Sequence, residues 1–203
     1  MPAFSSTHAT YTRYLIRPAE RIAYEVSGTG PLVVLLPGMA ELRSSYRHLA
    51  PALESAGCTV ATTDIVALID ELGGPAIIVG NSPAAGARVI AGAKPTDFGA
   101  YRDAVAAGFR RRDYARAFSQ TVRGADHAPA KARVARVTAP SLVVMGALDP
   151  DFPDPATEAR WIGERLHAAV VMVPDAGRYP HAQQPEQTTT AILDLLATVT
   201  VDA

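Results

Sequence analysis

Two periodicities alternate along the chain. Apolar and β-branched residues fill short runs at Tyr11–Arg17, Arg21–Val26, Leu32–Leu36, Thr59–Thr63, Ala76–Val79, Ser141–Met145 and Ala169–Val173, which predicts strands. Between most of these runs the apolar spacing lengthens to three and four residues, which predicts helices. They fall at Ser44–Ala56 (Tyr46, Leu49, Ala50 and Leu53 on one face, Gly57 as the stop), Ile65–Leu72, Pro83–Ala93, Pro155–Leu166 and Gln184–Val199. Phe98, Tyr101, Val105 and Phe109 form a further helical stripe.

The first two runs are separated only by Pro18-Ala19-Glu20 and read as an antiparallel hairpin. After them strand and helix alternate, so the predicted fold class is α/β, a mostly parallel, doubly wound sheet. Leu32–Leu36 has the unbroken apolar character of a strand buried on both faces. In such sheets ligands bind beyond the carboxyl ends of strands.

Composition narrows this. The chain has 203 residues with 19 Lys+Arg against 20 Asp+Glu, a net charge of −1. That balance excludes a general polyanion binder, so no nucleic-acid partner is expected. The 38 alanines make for thinner helix packing than leucine would. A single cysteine, Cys58, excludes a disulfide framework within the chain and a multi-cysteine metal site, and reads as a small buried apolar residue. Met1–Tyr14 lacks the apolar segment of a signal peptide, and no run approaches the ~18–20 apolar residues of a membrane span. The expectation is a cytoplasmic protein with no membrane partner. Charge is uneven in one place: Lys94–Arg136 carries ten Lys+Arg against four Asp. This is either a solvated helical face or a basic lid.

Candidate chemistry gathers at predicted strand ends. Gly80-Asn81-Ser82-Pro83-Ala84-Ala85-Gly86 stands between a strand and a helix. A nucleophile on so tight a turn needs small residues two places either side, supplied here by Gly80 and Ala84. The same residues also suit an ordinary helix start with a serine cap and Pro83 in the first turn. A serine hydroxyl needs a base. Of His8, His48, His127, His167 and His181, only His181 lies in a loop following a predicted parallel strand, with His127 the spare candidate. The imidazole needs an acid. Asp149 follows the Ser141–Met145 strand, with Asp151 and Asp154 as competitors; Asp64 also ends a strand but precedes the serine. The order Ser82, Asp149, His181 is that of an α/β-hydrolase triad. An oxyanion hole needs two N–H donors. Met39 can give one, but the second position is Pro83, which has no N–H.

With these residues the chain resembles the α/β-hydrolase family. The resemblance rests on Leu35-Leu36-Pro37-Gly38-Met39 at the oxyanion loop, Gly80-Asn81-Ser82 at the elbow, Leu142–Asp149 at the acid, and Gly177…His181…Pro185-Glu186 at the base. It covers about residues 11–93 and 137–199, and it implies a core of 1–93 and 137–203 with a helical cap, 94–136, between. Phe98, Tyr101 and Phe109 are then expected to line the substrate pocket. Two departures stand out. Asp64–Pro75 is too short for the family's usual loop and full helix, and no strand pattern occurs between Ala93 and Thr138 where one is expected. Without that strand, Ser141–Met145 must pair one place over or leave a gap about 5 Å wide.

The resemblance implies a serine hydrolase of small carboxylic esters or related acyl compounds, acting on a small-molecule substrate with no metal and no organic cofactor. Carbon–carbon hydrolysis and cofactor-free haloperoxidase chemistry belong to the same fold. The alternative, motivated by Pro83 and the shortened regions, is a catalytically weakened scaffold that binds a small ligand or a partner.

Overall fold

The computed structural model describes residues 11–17, 20–38, 41–63, 72, 76–81, 91–124 and 128–199. Strands β1 (Arg13–Arg17) and β2 (Glu20–Ser27) form the expected antiparallel hairpin, with Leu15 opposite Ile22. β2 continues antiparallel against β4 (Thr59–Thr63). β3 (Leu32–Leu36) lies parallel between β4 and β5 (Ala76–Gly80), so Val33 meets Val60 on one side and Ile77 on the other. The sheet order is β1-β2-β4-β3-β5.

The unbroken apolar run of β3 is explained by its place. Val33 and Leu35 enter a cluster with Tyr46, Leu49, Leu53, Cys58 and Ile192. The alternate residues Leu32 and Val34 enter a second cluster on the opposite face with Tyr24 and Ala61. A strand whose two faces are both covered has no polar side to show. Cys58 is buried in the first cluster.

The helix expected at Ser44–Ala56 is divided. Arg43–Tyr46 is a 3-10 turn and the α-helix α1 is Leu49–Ser55. Pro51 supplies the reason: in a continuous helix its ring would strike the carbonyl of Arg47, whereas a restart at His48 puts it in the first turn. The helix expected at Ile65–Leu72 lies outside the described residues except for Leu72, which is helical. Of the one expected at Pro83–Ala93, only Ala91–Ala93 are described, and they are not helical.

Between β5 and the next strand stand α2 (Phe98–Phe109), α3 (Arg112–Gly124) and α4 (Ala128–Arg133). Then come β6 (Leu142–Gly146), α5 (Pro155–Leu166) and β7 (Ala169–Val173), with β6 and β7 parallel and Ala159 of α5 packed on Val143 and Met145. The chain closes with the short helix α6 (Pro180–Gln183) and with α7 (Pro185–Thr198), whose Ile192 joins the first cluster.

β6 and β7 form a two-stranded sheet of their own. Among the described residues no strand lies between β5 and β6, so the parallel architecture is divided where the sequence lacks a strand pattern. Other contacts hold the two parts together. Gly92 bridges Ala176, and the Ala93 N–H donates to Asp175 O at 2.7 Å. A Cβ on Gly92, whose φ is +82°, would lie 2.2 Å from that same oxygen. At the end of β6, a Cβ on Gly146 would lie 1.9 Å from Gly177 O. Both contacts exclude any side chain.

Candidate active site

Leu36 and Gly80 end paired parallel strands and so lie side by side. Tyr46, only 1% exposed, reaches across both ends. Its hydroxyl donates to Leu36 O at 2.8 Å and stands 3.4 Å from both Val79 O and Asn81 Oδ1. Burial, and then the charge of Glu41, push this phenol far above its ordinary value, so it remains a neutral donor. Asn81 Nδ2 donates to Glu41 Oε2 at 2.8 Å, which ties the residue after β5 to the loop after β3.

Glu41 is a carboxyl group held in a poorly solvated place. Burial raises its pKa, opposed by hydrogen-bonding groups on Asn81, Ser45 and Tyr179 and by the backbone at Gly38. Desolvation is thus the larger effect. Ser45, itself buried, leans on this carboxyl without closing a hydrogen bond of good geometry.

His181 arrives on α6 with its ring against that of Tyr46, 4.6 Å between centroids, and edge-on to Tyr179 at 6.0 Å. It is buried, and its Nε2 has no hydrogen-bond partner among the described residues. Burial first, then the charges of Arg47 and His48, lower its pKa to about 3. The imidazole is therefore neutral at ordinary pH, with one nitrogen available as acceptor.

Of the three candidate acids, Asp154 caps α5, accepting from the Thr157 N–H at 3.1 Å and the Thr157 hydroxyl at 2.6 Å. Asp151 pairs with the buried Arg178. Asp149 is buried and accepts the Asp151 N–H at 3.0 Å. Burial raises its pKa and the Arg178 charge opposes the rise. Among the described residues no hydrogen bond joins Asp149 to His181. Ser82, Pro83 and Met39 lie outside the described residues, as do His8, His127 and Asp64. Of the other histidines, His48 Nε2 faces Asp97 Oδ1 at 3.2 Å, and His167 terminates α5 in a left-handed conformation, φ 52°.

A cleft of about 20 Å³ opens at His181, lined among others by Glu41, Ser45, Phe98, Tyr101 and Tyr179. Phe98 and Tyr101 thus stand at this cleft, while Phe109 packs edge-on against Tyr114 and Phe118. The wall carrying Phe98 is fixed by Arg47, whose Nε and Nη2 donate to the two oxygens of Asp97 at 2.5 and 2.6 Å. That two-pronged pairing holds the Asp97 carboxyl well below the usual range. Gln183 completes the support. Its Oε1 accepts from Gly177 N–H (3.0 Å) and Tyr179 N–H (3.2 Å), and its Nε2 donates to Ala91 O and Ala93 O (2.7 Å each).

Sequence reasoning missed Glu41, Tyr46 and Gln183. Tyr46 was legible only as an apolar helix position. Nothing in the spacing of Glu41 or Gln183 marks them as buried polar residues. Among the described residues no cluster of His, Cys, Asp and Glu suits a metal ion, and no helix is long and apolar enough to cross a membrane.

No protein-family model and no curated protein matches this sequence. Solved structures do match in fold. A serine hydrolase involved in carbazole degradation superposes with TM-score 0.73 at 18% identity, over 94% of this chain and 100% of its own. An E-2-(acetamidomethylene)succinate hydrolase gives 0.70 at 20% identity, over 93% and 100%. Epoxide hydrolase A from Mycobacterium thermoresistibile gives 0.65 at 18%, over 96% and 100%. With its parallel strands, its hairpin and these superpositions, the chain has the α/β-hydrolase fold.

Proposed function

We propose that this chain is a serine hydrolase of small carboxylic esters or related acyl compounds, with Ser82 as nucleophile and His181 as its imidazole partner. The observation that carries this is the position of Tyr46. Its ring lies on His181 and its hydroxyl reaches Asn81, the immediate neighbour of Ser82 in sequence, so one buried side chain links Asn81 at the end of β5 to the segment carrying His181. A neutral Nε2 with no partner among the described residues is the kind of acceptor that a serine hydroxyl requires. The solved hydrolases of this fold support the reaction class and leave the substrate open, since one fold hosts many chemistries.

In this reading the Met39 N–H stabilises the oxyanion, and Asp149 acts on the base loop through Arg178, three residues before His181. Phe98 and Tyr101 beside His181 put apolar surface where the acyl group of a small ester would lie. The test is a fluorophosphonate probe and a p-nitrophenyl acetate assay on the protein and on Ser82→Ala. Labelling and turnover that vanish with Ser82 support the hydrolase.

The second reading, a weakened scaffold that binds a small ligand, is favoured by the missing hydrogen bond between Asp149 and His181 among the described residues. Equal background from both proteins in the same assay leaves that reading in place.

A further inference from the structure

Two neighbouring side chains that follow β3 converge on one carboxylate. Arg47 Nε and Nη2 donate to Asp97 Oδ2 and Oδ1 at 2.5 and 2.6 Å, and His48 Nε2 faces Oδ1 at 3.2 Å. The Arg47 fork is held in place from other directions as well. Its Nη1 donates to Ser44 O at 3.1 Å, and the guanidinium lies over the Tyr101 ring, 4.6 Å from the centroid. A guanidinium fixed in this way presents a ready pair of N–H donors, spaced for the two oxygens of a planar carboxylate.

Asp97 has a second place to put its own carboxylate. It is the N-cap of α2: its carbonyl accepts the Tyr101 N–H at 3.1 Å, the first bond of the helix. Aspartate is a preferred N-cap because its side chain accepts an N–H of the first turn, and the positive end of the helix favours its charge. Here no side-chain capping bond forms, because the carboxylate is engaged by Arg47 and His48 instead. The helix has another tie to the same segment. The Leu42 N–H donates to the Tyr101 hydroxyl at 3.4 Å, so the first turn of α2 keeps a contact when Asp97 lets go.

We propose that Arg47 and His48 form a carboxylate-binding site beside the cleft at His181, which Asp97 fills as an internal occupant, and that a small carboxylate with a short apolar tail replaces it while Asp97 turns to cap α2. Solvent reaches the site: the Asp97 side chain is 40% exposed and that of Arg47 21%. Phe98 and Tyr101, which line the cleft next to Arg47, offer apolar surface to the tail. The exchange leaves neither side without a partner. The ligand's oxygens accept from the two Arg47 donors, and Asp97 accepts from the helix N–H groups. No part of this involves Ser82, so the site stands or falls separately from the hydrolase reading.

The experiment is calorimetric titration of butyrate into the wild type, Asp97→Asn and Arg47→Gln, with butyramide and inorganic phosphate as comparison ligands. Asparagine caps a helix as well as aspartate does but brings no carboxylate to Arg47, so α2 keeps its start and the fork is vacated. An internal occupant that holds a site about nine-tenths of the time weakens an outside ligand about tenfold, so Asp97→Asn is expected to tighten butyrate by at least about tenfold. Arg47→Gln is expected to abolish binding. Butyramide, which lacks the charge, is expected to bind none of the three proteins, and phosphate, which lacks the tail, to bind Asp97→Asn more weakly than butyrate does. Asp97→Ser, another capping residue without a carboxylate, makes the same comparison if the asparagine variant folds poorly. A merely structural Asp97 would not tighten a carboxylate when removed. Butyrate that binds wild type and Asp97→Asn equally, or binds neither, overturns the proposal. So does butyrate binding that survives Arg47→Gln, or phosphate that binds as tightly as butyrate.

Discussion

The ring of His181 lies against the ring of Tyr46, 4.6 Å between centroids with the planes tilted by 34°. This contact joins the loop after the last strand to the segment after β3, and it explains why His181 is both buried and neutral. The ring is walled by Tyr46 and Tyr179, and the nearby charges of Arg47 and His48 add to the penalty on protonation.

The contribution of His181 to stability should therefore fall on mild acidification. The folded pKa of His181, about 3, lies below the ordinary imidazole value of 6.5. Below that ordinary value the unfolded chain takes up a proton that the folded chain refuses. The stability is complete above it and is lost as pH falls toward the folded value, with a slope approaching about 1.4 kcal/mol per pH unit. Urea unfolding at a series of pH values checks this against His181→Gln, whose curve should be flatter between about pH 6.5 and 4. Asp97, whose folded pKa is depressed, acts at lower pH. The raised carboxyls of Glu41 and Asp149 act in the same window with the opposite sign, but they are common to both proteins, so the difference between the two curves reads His181. Parallel curves for the two proteins would refute the assignment.

Tyr46→Phe removes a hydroxyl that donates to a strand-end carbonyl in the core. Leu36 O then loses that donor, and the reach to Asn81 is broken. A loss of about 1–2 kcal/mol in unfolding free energy is expected, together with lower Ser82-dependent activity. Full stability with unchanged activity would show that the hydroxyl positions nothing.

Gln183→Leu keeps the side chain's approximate volume and deletes all of its hydrogen bonds. Gly177 N–H, Tyr179 N–H, Ala91 O and Ala93 O would lose their partner at once. The expected loss is about 2 kcal/mol or more, because the two buried N–H groups of Gly177 and Tyr179 cost about 1–3 kcal/mol each when orphaned, whereas solvent reaches Ala93. Chemical denaturation measures it, and a loss below about 1 kcal/mol would mean that water replaces the amide without strain.

Pro83→Met supplies the N–H that proline lacks beside the proposed nucleophile. One oxyanion donor is worth about a hundredfold or more in rate, so kcat with p-nitrophenyl acetate should rise at least about tenfold. No gain would place the limiting step elsewhere.

Local periodicity was enough to read the strands, the hairpin and the parallel order. Leu32–Leu36, Pro155–Leu166 and Ala169–Val173 form elements at the bounds their patterns predict. The same reading showed that a strand was lacking between Ala93 and Thr138. The consequence of that lack depended on long-range packing: β6 and β7 stand apart, and Gln183 and Gly92 secure the junction. The acids show the same division. Asp149, Asp151 and Asp154 all come after one strand, so the sequence puts Asp149 first but leaves the other two as competitors. Capping of α5 by Asp154 and pairing of Asp151 with Arg178 separate them, since both depend on directions that spacing does not carry. Glu41 was invisible for a related reason. A glutamate in a polar loop looks solvated until Asn81, Tyr101 and Tyr179, distant along the chain, close over it and remove the water.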